Sequence, residues 1–199
     1  MPINVIGITG PSGAGKSLFC NFLKKDNIPM IDADRVYHSM LTSTSPCTAA
    51  IANEFGNGVL DDNGCPDRKK LSAVVFSSPE RLERLNAVVL GFVLDEIRAI
   101  ISNFEKDGHK NVLVDAPTLI ESGFHRECDF VVSVIAPKED RIVRICSRDG
   151  IDGARARARV EAQREDGFYI ENSDFVLTND SDTEAFEKEA QKIAARIIK

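Results

Sequence analysis

Residues Gly10-Pro11-Ser12-Gly13-Ala14-Gly15-Lys16-Ser17 follow the spacing G-x-x-x-x-G-K-[S/T]. Each fixed position of that pattern has a job in holding a nucleoside triphosphate. Glycines let backbone N–H groups turn inward around the β-phosphate, and a helix that starts within the loop adds the partial positive charge of its N-terminus. A lysine at position 16 bridges β- and γ-phosphate oxygens, and the Ser17 hydroxyl can ligate Mg²⁺. The context also fits. An apolar run, Ile3 to Thr9, leads into the loop, and Leu18, Phe19, Phe22 and Leu23 follow it at helical spacing.

Other groups able to do chemistry stand at comparable places. Asp32 and Asp34 close a short apolar run, Met30 to Asp32, at the carboxyl end of a strand, where ligands enter open α/β sheets. Asp115 ends the run Val112 to Val114. Arg148, Arg155, Arg157, Arg159 and Arg164 crowd the stretch from Ser147 to Asn172. Arg155 and Arg159 are four apart and share a helix face, whereas Arg157 points away and pairs with Glu161 in solvent. Asp61-Asp62-Asn63-Gly64 spells D-x-x-G, but it follows a Gly/Asn-rich loop and no N-K-x-D string accompanies it. It reads as a surface turn, which excludes a GTPase switch. His38, His109 and His125 form no recognisable pair and read as surface or satisfied residues.

These groups need a scaffold, and the apolar runs supply one. Ile3 to Thr9, Val112 to Asp115, Phe130 to Ile135 and Phe175 to Thr178 are continuous and rich in β-branched residues, with Met30 to Asp32 a weaker fifth. Strands apolar on both faces belong in a parallel sheet covered by helices on both sides. Helical segments alternate with them. The last has Phe186, Ala190, Ile193 and Ile197 on one face and opens with the capping box Ser181-Asp182-Thr183-Glu184. Another starts at Ser78-Pro79-Glu80, with Ser as N-cap and Pro at the first helical position, and runs to about Phe104 despite Gly91. The pattern predicts a doubly wound α/β fold with a parallel five-stranded sheet, as one domain over residues 1–199. Two stretches interrupt the alternation: a helical insertion at about 42–104 and a short lid at about 147–172.

Composition narrows the class further. Hydrophobic residues at 43% and charged residues at 28% are those of a folded chain, and 199 residues suffice for one α/β core with insertions. A net charge of −6 disfavours nucleic acid held through its phosphate backbone. Five widely spaced cysteines without C-x-x-C point to reduced, mostly buried thiols rather than disulfides or a zinc site. The start MPINVIGITG shows no basic leader, and no apolar run is long enough for a bilayer, so a cytoplasmic protein without a membrane is expected.

With the phosphate loop joined to Asp32-Ala33-Asp34-Arg35, the sequence resembles dephospho-coenzyme A kinase. Phe55-Gly56 followed by Val59-Leu60-Asp61, Asp67 to Leu71, Val75-Phe76, Asp115 to Glu121, Ser147 to Gly150, Arg159 to Gln163 and Ser173 to Asn179 fall in that family's order. The resemblance spans nearly the whole chain. It implies an ATP- and Mg²⁺-dependent transfer of phosphate to the ribose 3′-hydroxyl of dephospho-coenzyme A. On the ATP side it implies roles for Gly10, Pro11, Ser12, Gly13, Ala14, Gly15, Lys16, Ser17, Leu18 and Asn179, with Lys16, Asp34 and Arg148 catalytic. On the acceptor side it implies Asp34, Arg68, Pro117, Leu119 and Arg159; for the metal, Ser17 and Asp115. The residues themselves leave alternatives: Asp34 as N-cap of a helix from Arg35 to Leu41, Asp115 as a cap before Pro117, Asn179 as a turn residue, and Arg148 and Arg159 as solvated charges.

The pattern breaks on the acceptor side. Leu90-Gly91 replaces a usual His-Pro pair, Leu94 a frequent arginine and Glu171 a common lysine. Three readings compete: this kinase with a diverged pocket, a related P-loop kinase for another hydroxyl acceptor, and an ATP-binding regulatory module without transfer.

Overall fold

The structure is a computed structural model that describes every residue except Met1, Lys25, Asp26, Ser43 and Ser181. Its centre is a five-stranded sheet in the order β2-β3-β1-β4-β5, formed by β1 (Asn4–Thr9), β2 (Met30–Asp32), β3 (Asn111–Asp115), β4 (Phe130–Ile135) and β5 (Phe175–Thr178). The pairings of β1 with β3, β1 with β4 and β4 with β5 are parallel. All six residues of β1 are buried, as the unbroken apolar run requires of a strand covered on both faces. Asn4 is a polar exception. Its Nδ2 donates to Asn111 Oδ1 at 2.8 Å and to the Ile197 carbonyl at 2.7 Å, which fastens the end of the last helix to the sheet.

Contacts divide the chain into two compact units, residues 1–31 with 103–199, and residues 32–102. In the first, α1 (Lys16–Leu23) and α9 (Thr183–Ile197) bury Phe19, Leu23, Phe186, Ala190 and Ile193 in one cluster with Ile6, Ile8, Val132 and Leu177. The N-cap of α9 is Asp182, which accepts from Ala185 N–H at 2.9 Å; Ser181, the proposed box residue, lies outside the described residues. Three further helices belong to this unit: α6 (Lys138–Asp149), α7 (Gly153–Glu161) and α8 (Asp166–Glu171). The segment read as a lid from Ser147 therefore begins inside α6, whose hydrogen-bonded ladder carries Arg148 in its last turn. Gly150 ends α6 in the left-handed region at φ 65°, and Ile142, Ile145, Ala156 and Val160 pack α6 against α7.

The second unit is helical. It contains α2 (Ala33–Met40), α3 (Pro46–Phe55), α4 (Arg68–Val75) and most of α5 (Pro79–Lys106). It starts at Asp32 rather than near Thr42, because α2 belongs with it. Local signals account for its helix ends: Ser45, Asp67 and Ser78 accept hydrogen bonds from Thr48, Lys69 and Arg81 N–H. Asp61 closes an Asx turn by accepting from Asn63 and Cys65 N–H at 2.9 Å each, so the D-x-x-G string is a surface turn. No helix among the described residues is long and apolar enough to cross a membrane. All five cysteines are free; Cys20 and Cys47 are buried, while Cys65, Cys128 and Cys146 are half-buried, fewer buried than the composition suggested.

Candidate active site

The loop between β1 and α1 takes its shape from side chains behind it. Gly13 (φ 81°) and Gly15 (φ 108°) adopt backbone closed to most residues, and both positions are crowded. A Cβ on Gly13 would lie 2.7 Å from the Arg141 carbonyl oxygen, and one on Gly15 would overlap the Asn179 amide nitrogen. The carbonyls of the loop point at donors. Ser12 O accepts from Arg141 Nε at 3.1 Å, Gly13 O from Arg144 Nη1 at 3.2 Å, and Ala14 O from Asn179 Nδ2 at 2.8 Å and Arg144 Nη1 at 3.3 Å. In a trans peptide the N–H points opposite to the C=O. Engaging the Ser12 and Ala14 carbonyls from behind thus aims the Gly13 and Gly15 N–H groups at the other side of the loop, where an anion would sit.

Lys16 and Ser17 open α1, in the helix turn whose N–H groups lack intrahelical partners. Lys16 Nζ lies 3.9 Å from Asp115 Oδ1 at the end of β3, so the lysine is held over the loop by a carboxylate. Beneath this pair the Cys20 thiol is pushed up to about 12, first by burial and then by the Asp115 charge, and stays a neutral thiol. The Ser17 hydroxyl and the Asp115 carboxylate are hard oxygen donors, the type a Mg²⁺ ion takes while it keeps most of its waters.

Arg148 reaches the loop as well, with Nη2 3.3 Å from Ser12 Oγ. Its other bonds run to Asp149, at 2.7 Å to Oδ1 and 2.9 Å to Oδ2, and Arg159 Nη1 meets the same carboxylate at 2.7 Å. One aspartate thus gathers two arginines that the sequence assigned to anions. The Arg148 bond is the main cause holding the Asp149 carboxyl below the usual carboxylate range. Arg157 pairs with Glu139, at 3.0 Å to each oxygen, and not with Glu161: the α6–α7 packing brings Glu139 alongside, a tertiary contact that spacing within one helix cannot show.

Several sequence assignments change place. Asn179 is buried, with its Nδ2 donating to the loop and its main-chain carbonyl accepting from Arg144 Nη2 at 3.1 Å; these bonds make it a brace of the loop. Leu18 is exposed beside the loop. Leu119 is fully buried, and a Cβ on Gly7 would lie 2.5 Å from its Cδ2, so its side chain fills the core instead of lining an accessible wall. The Pro117 carbonyl accepts from Thr9 Oγ1 at 3.2 Å. Asp34, in the other unit, is not the cap of α2. That role belongs to Asp32, whose Oδ1 accepts from Arg35 N–H at 3.0 Å, because the helix starts one residue before Asp34. Asp34 is exposed in the first turn, and Arg68 is exposed at the first residue of α4. Leu90 and Gly91 are exposed on α5, and Leu94 is half-buried. The residues that sequence reasoning missed are Arg141 and Arg144. Their i, i+3 spacing on an amphipathic helix was visible, but ordinary for a solvated face.

A triphosphate cradle at a β1–α1 turn, a lysine poised on a strand-end carboxylate and an arginine at the loop's serine are the parts of a P-loop phosphotransferase. The dephospho-CoA kinase family model matches residues 4–185. The chain belongs to that family. It is 33% identical over 177 residues to the dephospho-CoA kinase of Dehalococcoides mccartyi, covering 89% of each chain. Among solved structures it is similar to the protein TT1252 of Thermus thermophilus, with a TM-score of 0.80 and 28% identity over the whole of both chains. It shares its fold with a dephospho-CoA kinase from Campylobacter jejuni, with a TM-score of 0.72 and 24% identity over 98% of this chain and 97% of the other.

Proposed function

We infer that this chain transfers the γ-phosphoryl group of ATP to the ribose 3′-hydroxyl of dephospho-coenzyme A, giving coenzyme A and ADP. The observation that carries this reading is a braced phosphate loop inside a family match over residues 4–185. The new bond joins the acceptor oxygen to the γ-phosphorus, and the bond from that phosphorus to the β–γ bridging oxygen breaks. Asp34, exposed and relieved of capping by Asp32, takes the hydroxyl proton and releases it to water. Lys16 leaves Asp115 for the β- and γ-phosphate oxygens, since a bound polyphosphate offers it more negative charge. Arg148 turns from Asp149 toward charge that develops on the transferring group, and closure of the Ser147–Asn172 segment excludes water. Ser17 and Asp115 would hold a Mg²⁺ ion, which would supply neutralisation of phosphate charge. Arg68, Pro117 and Arg159 are the further contacts to the anionic acceptor. The working compartment is the cytoplasm, where ATP, Mg²⁺ and reduced thiols coexist.

The test is ADP release from ATP and Mg²⁺ with and without dephospho-coenzyme A, with the product identified by mass. Release that depends on dephospho-coenzyme A and yields coenzyme A is expected. Release with a different hydroxyl acceptor alone would keep the kinase and replace the substrate, and none with any acceptor would leave only nucleotide binding.

A further inference from the structure

Ser12 is held at each of its polar atoms. Its N–H donates to Gln163 Oε1 at 3.2 Å, its carbonyl accepts from Arg141 Nε at 3.1 Å, and its hydroxyl meets Arg148 Nη2 at 3.3 Å. Arg141 also donates through Nη2 to the same Gln163 oxygen at 2.7 Å, which closes a ring of three side and main chains. The guanidinium is 1% exposed, an expensive place for a permanent charge. Its nearest counter-charge, Asp166 Oδ1, is 3.9 Å from Nη1, and that oxygen is buried without a hydrogen bond among the described residues. A salt bridge at that distance is a weak reason to bury an arginine. The bonds that the fork completes at short range are those to Ser12 and Gln163.

Placement gives the ring its meaning. Gln163 follows α7 (Gly153–Glu161) directly, and Asp166 opens α8. Both stand at the base of the segment whose Arg159 shares Asp149 with Arg148. A shift of α7 that carries Gln163 with it acts on the Ser12 N–H directly and, through Arg141, on the Ser12 carbonyl, whose peptide bears the Gly13 N–H.

We propose that Arg141 and Gln163 are positioning residues that set the phosphate loop through Ser12 and so couple its shape to the base of the lid. Neither touches nucleotide. The planar fork matters because it reaches two acceptors in a fixed geometry, which a lysine cannot do. The proposal rests on the loop being the ATP site. It is tested by binding of a nonhydrolysable ATP analogue, which is independent of the acceptor, so a wrong acceptor assignment would leave the result unaffected.

The variants are Gln163→Leu, Gln163→Glu, Arg141→Leu and the double Gln163→Leu/Arg141→Leu, studied in the full chain by calorimetry with the analogue and by initial rates. Gln163→Leu is expected to weaken analogue binding and raise the KM for ATP by about tenfold, with the acceptor KM within about twofold. Gln163→Glu keeps the acceptor oxygen and should recover most of that loss. The double variant should bind no worse than the weaker single one, since both act on Ser12 and on each other. Unchanged ATP affinity in both folded single variants, a Glu variant as weak as the Leu one, or losses that simply add would overturn the proposal. If Arg141→Leu fails to fold, the Leu and Glu pair at Gln163 decides alone.

Discussion

The two units hold their polar groups in opposite ways. Around the phosphate loop, donors and acceptors are already spent on one another: the carbonyls of Ser12, Gly13 and Ala14 are engaged by Arg141, Arg144 and Asn179. In residues 32–102 the groups assigned to the acceptor, Asp34 and Arg68, are exposed in the first turns of helices. The difference matches the ligands. A polyphosphate is compact and symmetric, and a rigid cradle strengthens every bond made to it by avoiding reorganisation. A large, flexible acceptor is met by groups whose geometry completes on binding. Rate losses should therefore follow phosphate charge in one unit and proton transfer in the other.

The sharpest break is at Lys16. Its ion-pair partner is Asp115 at 3.9 Å, so Lys16→Ala removes the cation that faces the loop. Turnover should fall below detection, with ATP KM raised and circular dichroism unchanged. Near-normal rates in a folded variant would take the loop out of the mechanism.

Asp34→Asn should come next. The amide keeps size and hydrogen bonding but cannot accept a proton, so kcat should fall about 10²–10⁴-fold with ATP affinity nearly constant. Because Asp32 is the cap, stability should not move. Activity within about threefold of the parent would place proton transfer elsewhere.

Arg148→Ala tests the link between lid and loop. A loss of about 10²-fold or more in kcat, larger than the loss in ATP affinity, is expected from removing one donor to developing charge. Hydrogen exchange across Ser147–Asn172 should show most protection when the ATP analogue and dephospho-coenzyme A are both bound, and protection indifferent to the second ligand would detach the lid from this acceptor. Acid gives a second handle. The Asp149 carboxyl is depressed by its bond to Arg148, so the link is fully present above the ordinary carboxylate range and is lost as pH falls through the depressed value. In the ligand-free chain the hold of Asp149 on Arg148 should therefore persist at neutral pH and weaken only in strong acid, as read by titration of the Asp149 carboxyl.

What the sequence revealed and what it hid divide along a physical line. The strands β2, β4 and β5 fall where the apolar runs put them, and Ser78 caps α5 as its Ser-Pro start implies, because these signals are local. The loop is local too. Its brace is not: Arg141 at 1% exposure, Arg144 on two loop carbonyls and Asn179 wedged under Gly15 depend on how α6 and β5 meet the loop, 129 to 165 residues away in sequence. A buried arginine on an amphipathic helix looks like a solvated one until the fold surrounds it. The same reason hid the Arg157–Glu139 pair, and a start of α2 two residues earlier, at Ala33 rather than Arg35, moved the cap from Asp34 to Asp32.

The smallest effect separates those two aspartates. Asp32 Oδ1 accepts from Arg35 N–H, and Asp32→Ala leaves that amide to water at a cost of about 1 kcal/mol in stability. Asp32→Asn keeps an acceptor at the cap and should cost only a fraction of that. Because α2 lies within residues 32–102, the loss should appear as faster exchange of α2 amides and a small drop in the denaturation midpoint, with kcat within about threefold of the parent. Two neighbouring carboxylates then give opposite signatures: stability without rate at Asp32, rate without stability at Asp34. A kcat in Asp32→Ala as low as in Asp34→Asn, with α2 exchange unchanged, would mean that both carboxylates serve the acceptor and that the hydrogen bond to Arg35 is incidental.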